Sequence, residues 1–260
     1  MRRADAAIIK VVMLPAEHGA SIMLVESLVA GLWIGSSLKG IVPALGWIFI
    51  FFMTQPLKIL IKDISCKIFT PRTKAAFWCG AVMGILAAGA MFWTCFFSGP
   101  SFWAIFAVVL LLGVIHLWAT IYEGKKEFTA ELFGVLSLGA AAASILLAAG
   151  HSWQQAFVLW LVLAIRAGTS VVYVRQRLRQ MRNEGTNFQM VVIVHILGLI
   201  MVCGLVFFHL AKPVIILAGF LLIMRLLFKY RHTVSPQALG IHESLLGLFY
   251  IVLVVLGLRY

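Results

Sequence analysis

Apolar runs of about twenty residues, each closed by a short polar or turn-forming stretch, recur from one end of the chain to the other. A run of that length spans a bilayer core as a helix. The pattern predicts nine spans at about 18–37, 41–61, 75–97, 102–121, 129–149, 153–175, 188–209, 212–230 and 237–258. The connections hold about a dozen residues at most, too few for a soluble domain. The expectation is therefore an all-α fold, a polytopic membrane helical bundle in which residues 1–260 form a single integral membrane domain. Any chemistry would take place at the membrane.

The most informative break in the pattern lies in the sixth run, LWLVLAIRAGTSVVYVRQRLRQMR, residues 159–182. Arg166 falls inside the apolar segment, and Arg175, Arg177, Arg179 and Arg182 follow as the helix leaves it. Arg166, Thr169, Ser170, Tyr173 and Arg177 recur at steps of three and four and so share a helical face. An arginine at mid-membrane costs about 2.5–3.5 kcal/mol on insertion scales, which directs it to a protein interior or a wet cavity with a partner. Two readings follow. Arg166 is one wall of an anion-binding cavity, or it pairs with a carboxylate to hold two helices together.

Composition agrees with the spans: 63% of residues are hydrophobic and 12% charged, with mean hydropathy +1.05. The net charge of +12 does not indicate nucleic acid, because the basic residues sit between apolar runs and not on an amphipathic soluble surface. Cys66, Cys79, Cys95 and Cys203 show no CxxC spacing, so neither a zinc site nor a disulfide framework is expected. The first apolar run starts late and lacks a small-residue cleavage site, so no removable leader is expected.

The cations also predict orientation. Arg2, Arg3 and Lys10 precede the first span; Lys58, Lys62, Lys67, Arg72, Lys74, Lys125, Lys126, the arginines after the sixth span, Arg225, Lys229 and Arg231 flank the same side. Lys39, Lys212 and Arg259 lie on the other. The excess places a multi-pass protein in the cell (inner) membrane, amino terminus cytoplasmic and carboxyl terminus outside. Acidic residues other than Glu26 gather at the same face, although they contribute little to topology, which suggests a site there.

Four further stretches carry candidate chemistry. In LPAEHGAS, residues 14–21, Pro15 can open a helix with Glu17 and His18 in its first turn; the dipole favours Glu17 there, and the small residues after His18 leave room for a ligand. The ninth span begins with the comparable pair His242 and Glu243. Neighbouring His and Glu point in different directions on a helix, which argues against a metal site built from these pairs. At the end of the second span, Gln55, Lys58 and Lys62 form a polar face that Asp63, Lys67, Arg72 and Lys74 continue into the loop, with Pro56 as a helix irregularity; Lys67 and Lys74 read as snorkelling flanks. Glu131, entering the fifth span beside a run of small residues, is the leading carboxylate to pair with a buried cation. His116 and His195 read as satisfied core histidines.

These stretches resemble the UbiA superfamily of intramembrane prenyltransferases: LPAEHGASIMLV at the first span, TPRTK after the second, YEGKKEFTAELFG at the fourth-to-fifth turn and TSVVYVRQRLR at the sixth. The LPAEHGA opening together with YVRQRLR is closer to the YwiC-like membrane proteins. The superfamily resemblance implies a UbiA-like bundle and a lipid-tailed substrate. It also implies magnesium held by two aspartate-rich motifs, and here the sequence departs: QPLKILIKD offers only Asp63, and YVRQRLR offers no carboxylate. Magnesium is therefore not expected, and the cofactor is unknown.

The resulting expectation is a cytoplasm-facing basic cavity for an amphipathic anionic small molecule, with its tail among helices and membrane lipids and with no nucleic-acid partner. Arg166, Thr169, Tyr173, Arg175, Arg177, Gln55, Lys58, Lys62, Glu17, His242 and Glu243 are the candidate binding residues, and Glu131 and His18 the candidate acid or base. The alternative is a non-catalytic binder or transporter of an anionic metabolite or lipid.

Overall fold

The computed structural model describes residues 11–13, 18–122, 128–227 and 235–259. Among them, regular structure is entirely helical. From His18 onward the helices are α1 (His18–Gly35), α2 (Ile41–Ser65), α3 (Pro71–Ser98), α4 (Pro100–Tyr122), α5 (Phe128–Ala148), α6 (Trp153–Met181), α7 (Phe188–Phe207), α8 (Ile215–Leu227) and α9 (Pro236–Leu258). Seven of them, α2 to α7 and α9, are long and apolar enough to cross a membrane. The chain is a multi-pass membrane protein. Within the described residues the other two, α1, apolar over Gly19–Gly35, and α8, Ile215–Leu227, are apolar but shorter.

Local chemistry sets the boundaries. Ser152 accepts from the Gln155 amide while the Gln155 side chain accepts from the Ser152 amide, a capping box that starts α6. Thr70 and Thr73 do the same for α3, with Pro71 in the first turn. Ser235 caps α9 ahead of Pro236. Where α2 ends, Lys67 takes a positive φ of 53° and the Ile68 amide returns to the Asp63 carbonyl at 2.9 Å, satisfying an orphan carbonyl. The arginine ladder does not leave the helix at about residue 175: α6 continues to Met181 and carries it as ordered helix.

In a bilayer the hydrophobic effect does not draw helices together, so close packing and interhelical hydrogen bonds must do so. Helix α5 is built for this. Residues 139–148 are all buried, half of them alanine, and pack against α1 and α6. The approach is close enough that a Cβ on Gly31 would stand 3.1 Å from the Ala142 carbonyl oxygen. Trp47 Nε1 donates to Ser144 Oγ at 2.6 Å, Trp160 Nε1 to the Leu136 carbonyl at 3.1 Å, and the Tyr250 hydroxyl to the Val162 carbonyl at 2.8 Å. These tie α2 to α5, α6 to α5 and α9 to α6. The outer faces are lipid-like instead: α3 exposes Phe77, Trp78, Ile85, Phe92 and Phe96.

Candidate functional site

Arg166 sits midway along α6 and is 2% exposed. Its Nη1 lies 3.3 Å from Glu243 Oε2 on α9, and its Nη2 lies 3.4 Å from Glu26 Oε1 on α1. Nη2 also donates to the Glu243 backbone carbonyl at 2.8 Å. A second buried arginine, Arg225 of α8, places Nη1 3.0 Å from both carboxylate oxygens of Glu243 and donates from Nη2 to Thr169 Oγ1 at 3.0 Å. Its guanidinium lies 5.4 Å from the centre of the Tyr173 ring. Ser170 Oγ donates to Glu243 Oε2. Two arginines and two glutamates thus form a network of balanced formal charge linking α1, α6, α8 and α9. Gly247 makes room for it, since a Cβ there would overlap the Glu26 carboxylate and stand 2.9 Å from Arg166 Nη2.

The network forms part of the lining of a cavity of about 950 Å³, at the upper end of the usual size for a small-molecule site. Its walls are mostly apolar, among them Trp47, Phe51, Val109, Leu117 and Leu138. Toward the loop ends of α2, α5 and α6 the lining turns ionic, with Lys58, Glu131, Arg175, Arg179, Arg182 and Glu184. Arg175 Nη1 lies 3.4 Å from Glu131 Oε2, and Arg179 Nε lies 3.5 Å from Glu184 Oε2.

The cavity gathers Gln55, Lys58, Glu131, Arg166, Arg175 and Glu243 from the sequence-derived set. The other candidates among the described side chains lie outside it. Thr169 and Tyr173 turn toward Arg225, and Arg177 is buried with Nη1 donating to Gln180 at 2.9 Å. Lys62 and His242 are exposed and outside the lining. Glu17 and the side chain of His18 lie outside the described residues. Among the described residues Glu131 pairs with Arg175, both side chains partly exposed, and not with the deeply buried cation expected of it. Arg166 instead takes Glu26 and Glu243. Of the two histidines, His116 Nδ1 meets the Ala130 carbonyl and His195 Nδ1 the Val191 carbonyl, each at 2.7 Å.

The sequence reading missed Glu26 and Arg225. Glu26 carried a usable signal, a lone carboxylate inside an apolar run, which requires a partner for the same reason as Arg166. Arg225 lay close enough to a span end to read as a topology determinant.

The magnesium implied by the superfamily resemblance does not fit these side chains. Asp63 is buried in the last turn of α2, where it accepts from Arg72 Nη2 at 3.2 Å and from Thr73 Oγ1 at 2.7 Å. The end of α6 presents arginines, and no cluster of three or more His, Cys, Asp or Glu suited to a metal occurs among the described residues. Cations clustered at both motif positions repel a divalent metal.

Fold and site together define a multi-pass helical membrane protein with a charge-balanced Arg/Glu network set into an apolar-walled cavity. The family described as YwiC-like protein matches residues 14–146, and the chain belongs to that family. The matched region spans α1 to α5 and so includes Glu26, Lys58 and Glu131; Arg166, Arg225 and Glu243 lie beyond it. No curated protein and no solved structure matches the chain.

Proposed function

We propose that this YwiC-like protein is a UbiA-like intramembrane protein that takes an amphipathic anion into the cavity from the cytoplasmic face, in a nine-span arrangement with the carboxyl terminus outside. The anionic head rests among Lys58, Arg175, Arg179 and Arg182, and the tail lies along Trp47, Phe51, Leu117 and Leu138. The observation that carries this reading is that one cavity combines apolar walls long enough for a tail with cations concentrated toward one end. Arg and Lys hold phosphate or carboxylate directly through charge-assisted hydrogen bonds, so the head needs no metal. If the bound molecule is transformed, Glu131 is the carboxylate placed beside the head to move a proton.

Native mass spectrometry of gently purified protein tests the reading. A co-purified amphipathic anion is expected from the wild type, retained in excess EDTA and depleted in Lys58→Gln/Arg175→Gln. Wild-type protein carrying only neutral lipids would overturn the assignment, and loss on chelation reversed by magnesium would overturn its metal-free part.

A further inference from the structure

We propose that Glu26 is a proton-binding site coupled to the cavity, so that an anion reaching the Arg166 end is bound together with one proton. The inference rests on the anion-binding reading above and goes beyond it by assigning a second, co-bound ion.

The two carboxylates of the network are held unequally. Glu243 is engaged by Arg225 through both oxygens, by Arg166 and by Ser170. Glu26 has one ion-pair contact among the described residues, the 3.4 Å approach of Arg166 Nη2, and its Oε2 accepts no hydrogen bond there. Neutralising Glu243 would break contacts with two guanidiniums. Neutralising Glu26 breaks one long contact, so Glu26 is where a proton enters at least cost.

Charge balance supplies the coupling. An anion brought against a buried, neutral network leaves an uncompensated negative charge in low dielectric, whereas an anion accompanied by a proton does not. When Glu26 binds a proton, Arg166 Nη2 loses its carboxylate and becomes available to the anion. Arg166 also holds a donor in reserve: Nε is buried and has no hydrogen-bond partner among the described residues.

The surroundings of Glu26 offer few competing sites. Facing it are Arg166 from α6, Glu243 and Tyr250 from α9 and, behind Glu243, Arg225 from α8. The Tyr250 hydroxyl is committed to the Val162 carbonyl. On α5, the register of Gly31 against Ala142 places Glu131 about 9 Å nearer the loop end than Glu26. Helix α2 contributes Trp47 and Phe51 to the cavity wall, and its Lys58 lies about 16 Å along the helix from Trp47. His18 of α1 is two turns earlier on the same helix.

The test uses the full chain in zwitterionic nanodiscs titrated with decyl sulfonate, whose charge is fixed, with empty nanodiscs subtracted. Calorimetry in buffers of different ionisation heats reads the protons taken up, and about one per bound sulfonate is expected where Glu26 is ionised in the free protein. Because binding takes up a proton, affinity falls as pH rises, approaching a tenfold increase in Kd per pH unit. Glu26→Gln removes the slope, and Glu26→Asp keeps it. Saturable binding by the wild type with no proton uptake from about pH 5 to about pH 8 overturns the coupling even if no variant folds. Retention of the slope in Glu26→Gln overturns the assignment to Glu26. Absence of saturable sulfonate binding at every pH overturns the anion-binding reading itself, and the coupling with it.

Discussion

Glu243→Gln is the sharpest test of what holds the helices together. The substitution keeps the side-chain volume and removes one negative charge from a network in which Arg166 is 2% and Arg225 4% exposed. Both guanidiniums then depend on Glu26, which Arg166 alone contacts, at 3.4 Å. Arg225 exchanges its two 3.0 Å carboxylate contacts for at most one to a neutral amide oxygen, and keeps Thr169 and the face of Tyr173. Stranding a buried charge costs about 3–5 kcal/mol in water-soluble proteins, and hydrogen bonds in membrane proteins fall at the weaker end of expectation, so about 3 kcal/mol is appropriate. At about 2–4 °C per kcal/mol for a chain of this size, Tm should fall by about 6–12 °C. Thermal unfolding in mild detergent, followed by loss of the monodisperse peak, measures it. The diagnostic variant is Glu243→Gln/Arg225→Met, which restores charge balance and should recover more than half of the loss. A single variant melting within about 1 °C of wild type, or a double variant as unstable as the two singles added, would refute the account.

Two further predictions follow from the packing and the charge pattern. Gly247→Ala should destabilise by about 1–3 kcal/mol, because its Cβ overlaps the Glu26 carboxylate. Gly240→Ala on the same helix, with nothing within 4 Å, should be neutral or stabilising by up to about 1 kcal/mol; equal effects in the same melting assay would mean that α9 does not approach the network as described. A reporter fused after Tyr260 should read as outside the cytoplasm, given cations concentrated at the opposite loops. A cytoplasmic signal would discard the nine-span topology.

The helices were legible because run length and hydropathy are local properties: the starts expected at 41, 153 and 188 coincide with those of α2, α6 and α7. What faces what was not legible. Periodicity put Arg166, Thr169, Ser170 and Tyr173 on one stripe, and all four are buried. At about 100° per residue, however, Thr169 and Ser170 sit on opposite sides of Arg166. That spread is enough for Ser170 to meet Glu243 on α9 while Thr169 meets Arg225 on α8. The partners themselves come from far along the chain, Glu26 being 140 positions from Arg166 and Glu243 being 77. No single-helix pattern encodes such a choice. Gly247 illustrates the limit best, since its importance depends on a carboxylate supplied by another helix.

The same separation revises the electrostatics. A count of arginines suggested one basic cavity, yet the cations divide into two sets with different physics. Arg166 and Arg225 are buried and offset by Glu26 and Glu243, so they contribute almost no net field at a distance. Lys58, Arg175, Arg179 and Arg182 line the end nearer the loops, with Glu131 and Glu184 among them, and give that end a net positive field. Salt screens exposed charges over about 8–10 Å, whereas the buried set is largely insulated from it. Raising ionic strength should therefore weaken capture at the outer cations while leaving the ion pairs of the network intact. On the proposed anion-binding reading, the outer set would attract anions broadly and discrimination would fall to the buried network, where an anion must be matched by a change in the charges already there.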